Sequence, residues 1–566
     1  MTPQKACIAI HGGRLIDGNG GKPVENSTVI IEGNRIKEVV AGKAQFPGDA
    51  QVVNASGKTV LPGFIDNHIH YRGFMGELLL AHGVTSVRDL GNPLEWILAL
   101  RDAVNGGKII GPRIFAAGGG FYGHATASHH MGVNTVDEAK AMARKLVGLG
   151  VDYLKIHLGV SLDIIRAVAE IGRAEGLKLT GHLDSSIFPF VEAGIDGVEH
   201  GSGSAEATIR DEKSRQILAS WKLWLPKFLG PWTLADRKYF SEVAEFLAEK
   251  GTFIEPTAVL WGASLEMRER WEKEDYELLK DPGLAYISES ERILWTDHYY
   301  LAYGPRVANA PSEEVIFGDG YSYYGILPQK TMREGFERMG EFITLLARAG
   351  GNIVTGTDAP AVFPGVSLHR DMELLVMAGL SPMQAIQAGT RTGAAYLGKE
   401  RELGTIEAGK LADIVIVDGD PLQDIRQTRR IDTVIKDGEV IDTSYHPWFS
   451  ELMPRPVGQD FYGYPVPNLE RISPVAASET DGEIVLQLRG KGFFPTSLVR
   501  FGDIPVPTRY VSPGELLANI PSHALRGGTV PVYVVNPRPY QLRHRGGTSN
   551  PLSFVVRFAK QARSGC

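Results

Sequence analysis

Six residues of this 566-residue chain have the types and spacing for metal-assisted hydrolysis: His68, His70, Lys155, His182, His200 and Asp358. His68 and His70 end the apolar run Gly63-Phe64-Ile65-Asp66-Asn67-His68-Ile69-His70. A strand repeats its side-chain direction every two residues, so both imidazoles can approach one ion together. Alone the pair says little, because histidines at i and i+2 also line ordinary polar pockets. It gains weight from the other four residues, each of which follows or closes a strand-like segment, as active-site residues do at the C-terminal ends of barrel strands. A two-metal hydrolase needs several anionic or imidazole ligands and a water between the ions. His68, His70 and Asp358 suit a first ion, and His182 and His200 a second. Lys155 is the odd member, since an ammonium repels a dication and is costly in an apolar interior.

The elements that must position these residues alternate between strand-like and helix-like. Candidate strands are Thr59 to His70, Val84 to Asp89, Arg113 to Ala117, Tyr153 to His157, Leu177 to His182, Gly197 to His200, Phe253 to Thr257 and Ile353 to Asp358. Stretches such as Val136 to Leu149 and Leu162 to Glu175 lie between them, with apolar residues at helical spacing. Repeated βα units of this length predict a parallel sheet, and eight of them a closed (β/α)8 TIM barrel over residues 61–400. The segment 265–337 is too long for one crossover and reads as an insertion rich in Trp, Tyr and charge: a lid, a substrate-binding element or an oligomer contact.

Residues 1–60 and 401–443 both read as short strands and tight turns, including the favoured hairpin step Asp437-Gly438. Neither flank can bury a core alone, so the expectation is one composite β-sandwich built from both. A Pro- and aromatic-rich linker, 444–469, precedes a C-terminal run of short strands, 470–560, patterned as a small sandwich.

Composition bounds what the chain does. With 43% hydrophobic and 22% charged residues and a formal net charge of −7, it gives no reason to expect nucleic-acid binding, and no apolar run is long enough to cross a bilayer. Cys7 and Cys566 stand too far apart in sequence to form a disulfide framework and fit a reducing compartment. The visible start, Met1-Thr2-Pro3-Gln4-Lys5, has no secretory pattern and reads as cytoplasmic, with export or a periplasmic location open if a leader was removed.

With the set His, His, Lys, His, His, Asp assembled, the chain resembles the amidohydrolase superfamily, in its imidazolonepropionase-like and Xaa-Pro dipeptidase-like branch, over residues 5–443. Besides the first histidine pair, the matching landmarks are Gly83-Val84-Thr85-Ser86-Val87-Arg88-Asp89, Gly181-His182, Gly197-Val198-Glu199-His200-Gly201, Gly356-Thr357-Asp358 and Gly404-Thr405-Ile406-Glu407-Ala408-Gly409-Lys410. The resemblance implies two divalent ions, zinc by default, one held by His68, His70 and Asp358 and the other by His182 and His200. It also implies that Lys155, in Asp152-Tyr153-Leu154-Lys155-Ile156-His157, is carbamylated to N6-carboxylysine and bridges them. A metal-activated hydroxide would attack the scissile carbonyl, and Asp358 would carry the proton to the leaving nitrogen.

The implied function is hydrolysis of an amide or peptide bond in a small molecule, such as a dipeptide or N-acyl amino acid, by a homo-oligomer. Cyclic-amide or imidazolone hydrolysis, lactone or ester hydrolysis, and a non-catalytic scaffold are the alternatives. Candidate substrate contacts are Tyr122, His124 and His129 after the third strand, and Tyr71 and Arg72 after the first. His157, two residues after Lys155, is a candidate for contact with the carbonyl or leaving group. The tail motifs Arg471-Ile472-Ser473-Pro474, Gly490-Lys491-Gly492-Phe493 and Val534-Val535-Asn536-Pro537 resemble an immunoglobulin-like IPT/TIG domain.

Overall fold

The computed structural model describes residues 7–123, 130–220, 230–265, 267–284, 286, 287, 291, 295, 329–446, 466–536 and 547–558. The chain divides into two compact units, Met1–Gly91 with Gly111–Pro447, and Asn92–Ile110 with Trp448–Cys566.

The first unit opens with β1 (Cys7–Leu15), β2 (Val24–Glu32), β3 (Arg35–Ala41), β4 (Gln51–Asn54) and β5 (Lys58–Pro62). β1 pairs antiparallel with β2 and parallel with both β4 and β5. The strand expected over 59–70 is in fact two, because Gly63 lies at a change of partner. Its N–H donates to Asp413 O at 2.8 Å, and a Cβ added there would sit 2.2 Å from Thr85 Oγ1.

Beyond Gly63, β6 (Phe64–Ile69), β7 (Val84–Asp89) and β8 (Arg113–Ala116) form a three-stranded parallel sheet. A seven-stranded parallel sheet contains β9 (Gly120–Tyr122), β10 (His130–Gly132), β11 (Tyr153–Ile156), β12 (Lys178–Gly181), β13 (Gly197–Glu199), β14 (Phe253–Glu255) and β15 (Asn352–Ile353), in the order β10-β9-β11-β12-β13-β14-β15. β9 and β10 were not among the expected strands. Backbone bonds link the two sheets at both ends. Asp152 N–H donates to Ala116 O at 2.8 Å, while Asn67 N–H donates to Thr355 O at 3.1 Å and Asp358 N–H to His68 O at 2.7 Å. These last two bonds bring the residues around His68 beside those around Asp358, 290 positions later. The intervening helix Val136–Gly148 starts in a Thr135/Glu138 capping box, and Leu162–Ala174 starts under a Ser161 cap.

The chain then returns to the flanking sheet as β16 (Ile414–Asp418), β17 (Ile431–Lys436) and β18 (Glu439–Ile441). β16 pairs antiparallel with β5, with Ile416 opposite Val60, so the two flanks share one connected eight-stranded sheet. Its core is aliphatic: Ile8, Ile10, Val29, Ile31, Val60, Ile414, Ile416 and Ile435. Asp437 and Gly438 both take positive φ in the two-residue turn between β17 and β18, as a type I′ hairpin requires.

Arg113 of β8 ties the three-stranded parallel sheet to this sheet. It donates to Asp413 at 2.6 Å and also pairs with Asp437. Burial pushes the Asp437 carboxyl up, but Arg113 and Lys436 bring it below its ordinary value. This pairing therefore stabilises the fold above the unfolded-state carboxylate range and loses its effect as pH falls through the depressed value. Arg113→Ala should cost about 3 kcal/mol, the low end for a broken buried pair because Asp437 is partly exposed. Chemical denaturation at neutral pH checks this, and the difference from wild type should shrink in acid.

Within residues 265–337, expected as an insertion, helix Arg268–Leu278 is pinned by buried Arg370, which donates to Asp275 at 2.7 and 3.1 Å and to Glu274 at 3.1 Å. Trp295 Nε1 donates to Pro360 O at 3.0 Å. The described aromatics Trp271 and Trp295 are both buried; Tyr299 and Tyr300 lie outside the described residues.

In the second unit, a four-stranded and a six-stranded sheet hold a core that includes Leu486, Leu488, Val499, Phe501, Leu516, Val532, Val534 and Phe554. The helix Leu94–Asn105 belongs to this unit, and its Glu95 pairs with Arg500. Among the described residues, no helix is long and apolar enough to cross a membrane.

Candidate metal centre

The strand ends converge on Asp358. Its Oδ1 lies 3.5 Å from His68 Nε2 and 3.2 Å from His70 Nε2. One donor atom each from His68, His200 and Asp358 falls within 4.8 Å of the others. The backbone is bent to achieve this: His200 and Asp358 have φ of +57° and +58°, and Thr257 beside them has +47°. Left-handed backbone at non-glycine residues is uncommon, and for β-branched threonine it is an outlier, a kind of strain that collects at functional sites.

The other nitrogen of each imidazole is anchored. His68 Nδ1 meets Glu255 Oε2 at 2.8 Å, His70 Nδ1 meets Gly91 O at 3.0 Å and His200 Nδ1 meets Thr257 Oγ1 at 2.8 Å. Burial pushes His68 down to about 3 and His200 down to about 4, so both rings are neutral near pH 7. Burial also opposes charge on His70, but its hydrogen bond to Asp358 prevails and raises it. Burial favours the neutral Asp358 carboxyl, yet His68, His70 and His200 hold it well below the ordinary range.

Lys155 points inward from β11, with Nζ 2.8 Å from Glu199 Oε2. Burial depresses its ammonium against the pull of Glu199. Glu199 Oε1 in turn meets Arg88 Nη2 at 3.2 Å and the Thr180 hydroxyl. Arg88 stacks over Tyr396 at 3.9 Å and donates from Nε to Asn67 O at 2.6 Å.

His200 leads to a row of rings. His182 lies 4.9 Å from His200 between centroids, and His157 4.7 Å from His182. Tyr122 stacks on His157 at 4.2 Å and His130 on Tyr122 at 3.5 Å. Burial holds His182 well below its ordinary value, with His157 and His200 adding to the effect. His157 Nδ1 accepts from Leu158 N–H at 2.8 Å. Tyr71 is buried, its N–H donating to Asp89. Arg72 is also buried, with Nη1 donating to the His70 and Tyr71 carbonyls at 3.1 and 3.2 Å. His124 and His129 lie outside the described residues.

Reading the residue types along the chain missed the roles of Glu199, Glu255, Thr257 and Arg88. Glu199 and Glu255 carried a signal, since each is an acidic residue in the last position of an apolar strand and both are fully buried. Burial pushes Glu255 up to about 7, opposed by His200 and by the Thr257 hydrogen bond. Asp66, also pushed up to about 7 by burial, accepts from the Thr357 hydroxyl at 2.6 Å and so supports the segment carrying Asp358.

The donor set fits divalent cations. The neutral imidazoles of His68 and His200, each with one nitrogen anchored, beside an ionised carboxylate, are the chemistry such ions require. Residues 59–441 match the amidohydrolase family and residues 467–556 the IPT/TIG domain. The chain is 23% identical over 432 residues to an imidazolonepropionase of Geobacillus sp. (strain WCH70), covering 74% of this chain and 90% of that one. Its fold is similar to the crystal structure of a Xaa-Pro dipeptidase with bound methionine in the active site (TM-score 0.54, 22% identity, 77% of this chain and 100% of that one). It is also similar to a putative prolidase from Bifidobacterium longum (TM-score 0.55, 23% identity, 79% and 96%). The strand ends carrying these candidate ligands therefore belong to a TIM-barrel-type domain, and the chain is a member of the amidohydrolase family, a hydrolase of carbon–nitrogen bonds that also carries a TIG domain.

Proposed function

We propose that the chain is a binuclear metal-dependent amidohydrolase that cleaves the amide or peptide bond of a small substrate such as a dipeptide or N-acyl amino acid. The observation that carries this reading is the convergence of His68, His200 and Asp358 on one point, with His70 on the same carboxylate. His68, His70 and Asp358 would hold one ion and His182 and His200 the other, with Lys155 between them as its carbamate. Carbamylation joins the neutral amine to carbon dioxide with loss of a proton and turns a cation into an anion suited to dications; the depressed Lys155 ammonium favours the reactive form. Bound there, divalent ions, zinc by default, supply Lewis acidity that activates water at neutral pH and polarises a carbonyl.

The chain's own groups move the proton. Asp358, ionised at neutral pH, takes it from the attacking water and returns it to the leaving nitrogen. His157, whose Nδ1 accepts from the Leu158 amide, keeps its proton on Nε2 when neutral and offers it as a hydrogen bond to the substrate carbonyl or leaving group. Tyr122, which stacks on that ring, is a further substrate contact in this reading, with Tyr71, Arg72, His124 and His129. The relationship to imidazolonepropionase favours a second reading, hydrolysis of a cyclic amide.

A hydrolysis screen with dipeptides, N-acyl amino acids, hydantoin-like rings and lactones separates these readings. Turnover of linear amides is expected, and activity confined to esters or lactones would overturn the amidase reading.

A further inference from the structure

Glu255 and Thr257 stand outside the six candidate ligands, yet between them they touch one histidine from each proposed set. Glu255 Oε2 lies 2.8 Å from His68 Nδ1 and 3.0 Å from Thr257 Oγ1, and Glu255 Oε1 accepts the Thr257 N–H at 2.6 Å. Thr257 Oγ1 lies 2.8 Å from His200 Nδ1. The carboxylate is fully buried, and Gly356 makes room for it, because a Cβ there would sit 2.6 Å from Glu255 Cδ.

The directions of these bonds follow from counting protons. In its ionised form Glu255 only accepts, so the Thr257 N–H, the Thr257 hydroxyl and His68 Nδ1 then all donate to it. Having spent its one proton on Glu255, the threonine hydroxyl can only accept from His200, so His200 Nδ1 also carries a hydrogen. Both imidazoles then present the Nε2 lone pair. Thr257 reaches this position only with its φ at +47°, a conformation in which glycine is at ease and a β-branched residue is not.

We propose that Glu255 is a shared positioning residue that fixes the tautomers of His68 directly and of His200 through the Thr257 hydroxyl, so that one buried carboxylate prepares both ion sites together. The proposal rests on the two-ion reading for its purpose, but the hydrogen-bond relay stands by itself.

The test uses full-length metal-free protein with 15N-labelled histidine, followed by titration with Zn2+ against a competing chelator. In the wild type at pH 8, where Glu255 is ionised, both rings should carry the proton on Nδ1. Thr257→Val should change the His200 tautomer alone and weaken one of two zinc ions by about 10–100-fold, the usual cost of losing such a partner. Thr257→Ser should restore both readouts. Glu255→Gln should disturb both rings and weaken both ions. Thr257→Gly removes the hydroxyl while suiting the left-handed backbone, so it serves if the valine variant does not fold: a merely structural threonine predicts unchanged zinc binding, the relay predicts the same selective loss. Wild-type tautomers with only one bound zinc would support the relay and remove the two-ion reading. An unchanged His200 ring, or unchanged zinc affinity in both hydroxyl-free variants, would overturn the proposal.

Discussion

Asp358→Asn is expected to lower kcat by a factor of about 10²–10⁴, the range that a positioned acid–base group contributes. The amide keeps the shape of the side chain but cannot accept the water's proton at neutral pH. Since Asp358 also contacts His68 and His70, the measurement pairs steady-state kinetics with metal content. A fall in turnover at full metal loading locates the effect in proton transfer, and an unchanged turnover rate rejects that role.

The largest expected effect on stability lies below the site, at Arg88. Its guanidinium is fully buried and answers Glu199, which lies between Arg88 and Lys155. Arg88→Met should cost about 3–5 kcal/mol, because it removes one partner and leaves a buried carboxylate with less compensation. Lysine should not rescue it: the Nε bond to Asn67 O and the planar stack on Tyr396 both need a guanidinium. Denaturant unfolding of the full chain checks this, and a loss below about 1 kcal/mol would mean that the buried pair is energetically neutral.

These two residues differ in how visible they are in the amino-acid sequence. Asp358 ends an apolar run after Gly356-Thr357, so its type and place marked it as a candidate. Arg88 sits in the strand Val84–Asp89, where the adjacent acid, Asp89, points to the opposite face. Its partner Glu199 is 111 residues away, and only closure of the strands brings them together. Glu255 and Thr257 were missed for the same reason, since each acts through a bond to a distant histidine. The left-handed turns at His200, Thr257 and Asp358 were missed for another: His and Asp only mildly favour positive φ, and threonine disfavours it.

The fold was legible where periodicity decides and less so where pairing does. The alternation of strands and helices followed from apolar spacing, and the Asp437-Gly438 turn from residue type. The split of the first strand at Gly63 is hinted at only by the Pro62-Gly63 step, and what fixes it is that Lys58–Pro62 and Phe64–Ile69 choose different partners. β9 and β10 were unforeseen because Gly120-Phe121-Tyr122 and His130-Met131-Gly132 carry glycine and histidine rather than the β-branched residues that mark a strand.

The central claim is a pair of ions joined through a modified Lys155, and anomalous X-ray scattering from crystals grown with zinc and bicarbonate tests it most directly. The account predicts two peaks, one among His68, His70 and Asp358 and one between His182 and His200, with density for a carboxylate on Nζ reaching both. A bare Lys155 amine still resting on Glu199, with one peak or none, would contradict it.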